Sequence, residues 1–83
     1  MENDFKTQTE CQLAKIWADI LRLDNVGRDQ DFFNLGGDSL LAAKVVLEAR
    51  RAWNIDFTLR VLVDTPVLAH LAEHIDLRVN QGS

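Results

Sequence analysis

Apolar residues recur at helical spacing in three separate segments, and that pattern leaves few folds open. Leu13, Ile16, Trp17, Ile20 and Leu21 make one stripe. Leu41, Ala42, Val45, Val46, Ala49 and Ala52 make a second, and Leu68, Leu71, Ala72, Ile75 and Val79 a third. A helix with one apolar face must bury it against another element, so three such stripes predict helix packed on helix. The 83 residues suffice for one small domain, and Gly and Pro number only 4 and 1, so long elements are favoured over many turns. A domain near this size buries only about 60% of its unfolded surface, so its stability margin is thin and there is little room for a deep catalytic cleft.

The ends of these helices carry their own signals. Thr7-Gln8-Thr9-Glu10 has the capping-box form, with a hydroxyl residue followed three positions later by glutamate. Glu10, Lys15, Asp19 and Arg22 fall off the first stripe and are expected at the surface, and Cys11 is expected to be an exposed thiol without a role. Asp24, Asn25 and Gly27 break the helix. The second helix starts at Asp38 or Ser39, either of which can cap it, and runs to about Ala52 before Trp53-Asn54. In the last helix, Thr65 is expected as the cap and Pro66 as the first helical residue.

Two segments are less regular. Residues 55–64, IDFTLRVLVD, alternate in Ile55, Phe57, Leu59, Val61 and Val63 like a strand. Nothing else in the chain reads as a strand to pair with it, so a short helix or turn from Thr58 to Asp64 is expected instead. Residues 23–38 exceed the usual helix–helix connection of ~2–8 residues. Leu23, Val26, Phe32, Phe33 and Leu35 can pin this loop to the core, and long ordered loops are often functional. The expected architecture is all-α: a small four-helix bundle with three long helices, one short helix, and a long ordered loop between helices 1 and 2. The domain is expected over residues 7–79, with a flexible N-terminus at 1–6 and a frayed tail at 80–83.

The outward face of the second helix is unusual. It holds Leu40, Ala43, Lys44, Leu47, Glu48, Arg50 and Arg51, so Leu40 and Leu47 are apolar residues flanked by cations. Two exposed leucines on one stripe, beginning beside Ser39, suggest a docking surface; the plainer alternative is loose packing against the long loop.

Several function classes are excluded or weakened. A net charge of −4 argues against a general nucleic-acid binder, which needs a cationic face, and fits partners with basic surfaces. The single cysteine cannot form an internal disulfide, and the polar start MENDFKTQTE lacks the apolar core of a signal peptide. No apolar run approaches the ~20 residues of a membrane span, so a cytoplasmic location is expected. Gly37-Asp38-Ser39-Leu40 spells an esterase signature, but those enzymes need an Asp-x-x-His pair and a larger α/β domain. His70-Leu71-Ala72-Glu73-His74 places two histidines one helical turn apart. It has no third ligand or cleft and reads as a solvated face. The Gly36-Gly37 pair matches no phosphate-binding loop pattern, yet a helix start favours an anion, bound or covalently attached.

The run Asp31-Phe32-Phe33-x-Leu35-Gly36-Gly37-Asp38-Ser39-Leu40 resembles the thiolation motif of peptidyl carrier proteins. These are the carrier domains of nonribosomal peptide synthetases, within the acyl carrier superfamily. The likeness extends to Ile16-Trp17-x-x-Ile20-Leu21, to Val26-Gly27-x-x-x-Asp31, and to Thr65-Pro66-Val67-x-x-Leu71-Ala72. It implies a 4′-phosphopantetheine arm on Ser39, added from coenzyme A by a phosphopantetheinyl transferase. Gly36, Gly37 and Asp38 would shape that site, with the glycines leaving the backbone open to the transferase. Leu40, Ala43, Lys44 and Leu47 would meet partner enzymes: adenylation, condensation, epimerisation, thioesterase or tailoring enzymes. The chain would be a monomeric carrier and not an enzyme. Asp38 stands where chain-elongating carriers often have histidine. Asp-Ser-Leu is usual in fatty-acid and polyketide carriers, and among peptidyl carriers it resembles those serving epimerisation domains. An acyl carrier of a polyketide-type pathway and a plain helical interaction module are the alternatives. The sequence leaves open whether this is a free-standing carrier or a domain cut from a synthetase.

Overall fold

The computed structural model describes residues 5–82, with side chains through Asn80. Four helices follow in order: α1 (Gln8–Leu21), α2 (Ser39–Trp53), α3 (Leu59–Asp64) and α4 (Leu68–Gly82). Helix α1 packs on both α2 and α4, and α3 lies against α2. No strand occurs among the described residues; a single antiparallel bridge joins Asp31 to Val67. The expected four-helix bundle with a long ordered loop between the first two helices is the observed fold.

Three helix starts are side-chain capped. Thr7 Oγ1 accepts from the Glu10 N–H, Asp38 from the Leu41 N–H, and Thr58 from the Val61 N–H. Each side chain satisfies a first-turn donor that the helix itself cannot. The other ends are set by left-handed residues, Arg22 after α1 and Asn54 after α2. The core joins Leu13, Trp17, Val26, Phe32, Val45, Phe57, Leu62, Leu68, Leu71 and Ile75, all essentially without solvent contact. Burying each large side chain contributes about 1.5–3 kcal/mol.

Helix α4 starts differently from expectation. Thr65 closes α3, donating its N–H to the carbonyls of Val61 and Leu62, and Pro66 lies outside α4. The long loop has claimed this stretch. The Phe32 N–H donates to the Pro66 carbonyl (2.8 Å), and the Leu68 and Ala69 N–H groups donate to the carbonyls of Gln30 (3.1 Å) and Arg28 (3.0 Å). The loop backbone therefore caps α4 in place of a side chain. Helix α4 runs from Leu68 to Gly82.

Other expectations are corrected by packing. Glu10 is buried, because Arg28 reaches it from the loop. Cys11 is half-buried beside Phe5 and Val26. Ala52 is exposed, since the α2 core face ends at Ala49. Val79 is 37% exposed, beyond the last buried residue of α4, Ile75. Phe33 is at the surface while its neighbour Phe32 is fully buried. His74 is half-buried, its ring 6.4 Å from that of Phe57, so it leaves the solvated face that His70 and Glu73 occupy.

Candidate functional site

The loop from Asp31 to Asp38 is wound tightly around its own backbone. Asp31 Oδ1 accepts from the N–H groups of Phe33 (2.8 Å) and Asn34 (3.2 Å), while the Asp31 carbonyl takes the Leu35 N–H (3.1 Å). Gly36 and Gly37 donate to the carbonyls of Phe33 (3.2 Å) and Phe32 (3.1 Å). The Phe32 ring is driven inward and meets Trp17 edge-on, 5.1 Å between centroids. That burial anchors the loop, and aromatic pairs add to what area alone contributes.

The glycine pair has reasons internal to the fold. Gly36 adopts φ +101, a left-handed conformation that favours glycine, with open space where a side chain would project. Gly37 lies directly against the Phe32 ring. A side chain at Gly36 would meet no atom, whereas one at Gly37 would collide with Phe32.

Helix α2 begins directly after this turn. Asp38 is the capping residue and takes the Leu41 N–H at 2.9 Å, while its carbonyl takes the Ala42 N–H at 2.8 Å. Ser39 is the first helical residue and is exposed. Because Asp38 does the capping, the Ser39 hydroxyl has no hydrogen-bond partner among the described residues. No acidic side chain lies within the first turn of α2. The free N–H groups and positive dipole end at this turn favour a negatively charged substituent.

Leu40 and Leu47 are 68% and 57% exposed, on the same outward face as exposed Lys44; Ala43 is half-buried. Ile20 of α1 joins Lys44, Leu47, Glu48 and Arg51 around a shallow groove of about 260 Å³. The sequence could not assign Ile20 here, because its stripe position pointed to the core and only the packing of α1 on α2 brings it to the groove. His70, Glu73 and His74 are not brought together with any further ligand, and no cluster of three or more His, Cys, Asp or Glu suited to a metal occurs among the described residues. No helix among them is long and apolar enough to cross a membrane.

Residues 11–75 match the family model described as the phosphopantetheine attachment site. The chain belongs to that family. As a phosphopantetheine-attachment domain it is similar to malpibaldin synthetase of Mortierella alpina, 45% identical over 67 residues. That match covers 81% of this chain and 1% of the synthetase. Among solved structures, the domain is similar to one described as a non-ribosomal PCP domain. The TM-score is 0.78 at 40% identity, covering 87% of this chain and 92% of that one. It is also similar to the peptidyl carrier protein in a complex with the phosphopantetheine transferase Sfp and coenzyme A. There the TM-score is 0.87 at 28% identity, covering 93% of this chain and 100% of the other. The chain thus spans about 1% of the length of the curated relatives it matches, and it is homologous to the carrier domains of nonribosomal peptide synthetases.

The prosthetic group of this family is 4′-phosphopantetheine, and the start of α2 fits it. The exposed Ser39 hydroxyl has the chemistry to form a phosphoester, and the positive end of the helix start would favour the resulting phosphodiester. When bound, the group supplies a thiol that forms thioesters.

Proposed function

We propose that Ser39 is the residue of this phosphopantetheine-attachment domain that bears the arm. The domain then acts as a peptidyl carrier for aminoacyl, peptidyl or aryl thioesters in nonribosomal peptide assembly. One observation carries the reading: within the stretch 31–40, a serine hydroxyl is exposed and unpartnered at a helix start, because the residue before it takes over the capping. Modification joins Ser39 Oγ to phosphorus as the phosphoanhydride bond of coenzyme A breaks, with the hydroxyl proton passing to the transferase and the nucleotide leaving.

The chain's own part is positional. Gly36 and Gly37 let the turn close over Phe32, and Asp38 keeps the hydroxyl free. Leu40, Lys44 and Leu47, with Ala43 between them, form the surface for the transferase and for adenylation, condensation, epimerisation, thioesterase or tailoring enzymes. The domain makes no bonds itself; tethering raises the local cargo concentration at each partner to about the millimolar range. A cytoplasmic location fits this use of coenzyme A.

Incubation with coenzyme A and a broad-specificity phosphopantetheinyl transferase tests the reading. Intact mass should rise by roughly 340 Da, one covalent phosphopantetheine group, and Ser39→Ala should abolish the rise. No gain with a transferase competent on a control carrier would leave a helical interaction module as the better account.

A further inference from the structure

The segment that leads to Ser39 is fastened from two sides. On one side, the carbonyls of Arg28 and Gln30 and the N–H of Phe32 pair with residues 66–69 at the start of α4. On the other, the Arg28 guanidinium forks onto the Glu10 carboxylate of α1, with Nε to Oε1 and Nη2 to Oε2 both at 3.0 Å. The Glu10 side chain is only 5% exposed, and Oε1 also accepts the Lys6 N–H at 2.8 Å. Four residues beyond Arg28, the Phe32 ring lies between Trp17 and Gly37, and its carbonyl takes the Gly37 N–H. Ser39 follows two residues later.

A forked carboxylate–guanidinium pair fixes orientation as well as distance, which a single contact does not. Starting α1 does not require it, since Thr7 already caps that helix. What the fork adds is a bond between α1 and the loop, eighteen positions apart. Given the assignment of Ser39 as the attachment residue, we propose that Glu10 and Arg28 are a positioning pair for its modification. They hold segment 28–32 in register on α4 and, through Phe32 and Gly37, set the fraction of molecules in which the start of α2 is docked for a transferase. Apparent affinity scales with that competent fraction. Loosening the pair therefore raises KM for the carrier while kcat, set by the transferase's own groups, stays put.

The test compares wild type with Glu10→Gln, Arg28→Gln and Arg28→Lys, each kept well below its unfolding midpoint. Initial modification rates are measured against carrier concentration, and amide exchange is followed in parallel. The expected result for both glutamine variants is a KM raised roughly three- to tenfold, with kcat within about twofold and the final mass gain complete. Arg28→Lys keeps the charge and loses the fork, so its KM should fall between. Exchange at Phe32, Gly37, Leu68 and Ala69 should accelerate in Glu10→Gln more than at Val45 and Val46 of α2. A wild-type KM in the folded glutamine variants, or exchange that accelerates uniformly, overturns the proposal. If both glutamine variants fail to fold, Arg28→Lys decides, an unchanged KM with unchanged local exchange being the refuting result. Absence of any mass gain in the wild type would refute Ser39 as the attachment residue, and the exchange comparison would then judge the Glu10–Arg28 linkage by itself.

Discussion

The ring of Phe32 fills the space that a side chain at Gly37 would need. A β-carbon built on Gly37 would lie 2.3 and 2.5 Å from ring carbons Cε2 and Cδ2, and 2.8 Å from the Phe32 carbonyl oxygen. The ring is held by Trp17 and cannot yield as a flexible side-chain tip would.

Gly37→Ala should therefore behave as an overpacked core change, costing about 1–3 kcal/mol in urea unfolding. Gly36→Ala meets no atom, yet must hold φ +101, and should cost about 1–3 kcal/mol through backbone strain. The two differ in what rescues them. Trimming Phe32 to leucine should recover part of the Gly37→Ala loss and none of the Gly36→Ala loss. Equal recovery at both positions would contradict the contact.

The adjacent phenylalanines should be unequal. Phe32→Ala empties a fully buried site and should cost about 3–5 kcal/mol, enough to unfold many small domains. Phe33 is exposed, and its replacement by alanine should fall within about 1 kcal/mol of wild type. Thermal melts of both variants give the comparison, and similar midpoints would count against the inward and outward assignments.

Stability should depend on acid through Glu10. Hydrogen bonding from Arg28 holds its carboxyl below the usual value of 4.5; burial opposes this, and the Lys6 N–H and the charges of Arg28 and Lys6 assist. The unfolded chain then binds more protons than the folded one in that window, so stability rises with pH through it. The Glu10 contribution is complete above 4.5 and is lost as pH falls through the lowered folded value. The gap in urea midpoint between wild type and Glu10→Gln should be constant near neutrality and shrink as pH falls below 4.5. A gap independent of pH would show that the carboxylate's charge is not what stabilises.

The outward and inward leucines should separate function from stability. Leu40→Asp and Leu47→Asp should leave the melting temperature nearly unchanged and weaken binding to partner enzymes, because both side chains stand in solvent. Leu68→Ala or Ile75→Ala should cost about 2–5 kcal/mol, since both are fully buried. A Leu40 or Leu47 variant that melts would place those residues in the core.

Much of this was legible in the sequence because its signals are local. The apolar period gave α1, α2 and α4, and the caps at Thr7 and Asp38 act on donors three residues away. Features set by distant partners were not legible. Glu10 looks like a surface residue until Arg28 arrives from eighteen positions away. Pro66 after a threonine reads as a helix start, but the loop takes its carbonyl and moves the start of α4 to Leu68. Phe32 and Phe33 are chemically identical, and only the turn around Asp31 sends one inward and the other outward. The start of α2 was readable because its cap acts within four consecutive residues, Asp38 to Leu41, whereas the groove beside Leu47 needed Ile20 from another helix.

The bonds that cap α4 come from the main chain of Arg28, Gln30 and Phe32, so not every side chain along residues 28–32 is committed to them. Asp29 within that stretch, and Asn34 just past it, face solvent. Such positions can diverge or be redesigned without relocating Ser39. The scaffold thus keeps an editable margin next to an immovable anchorage.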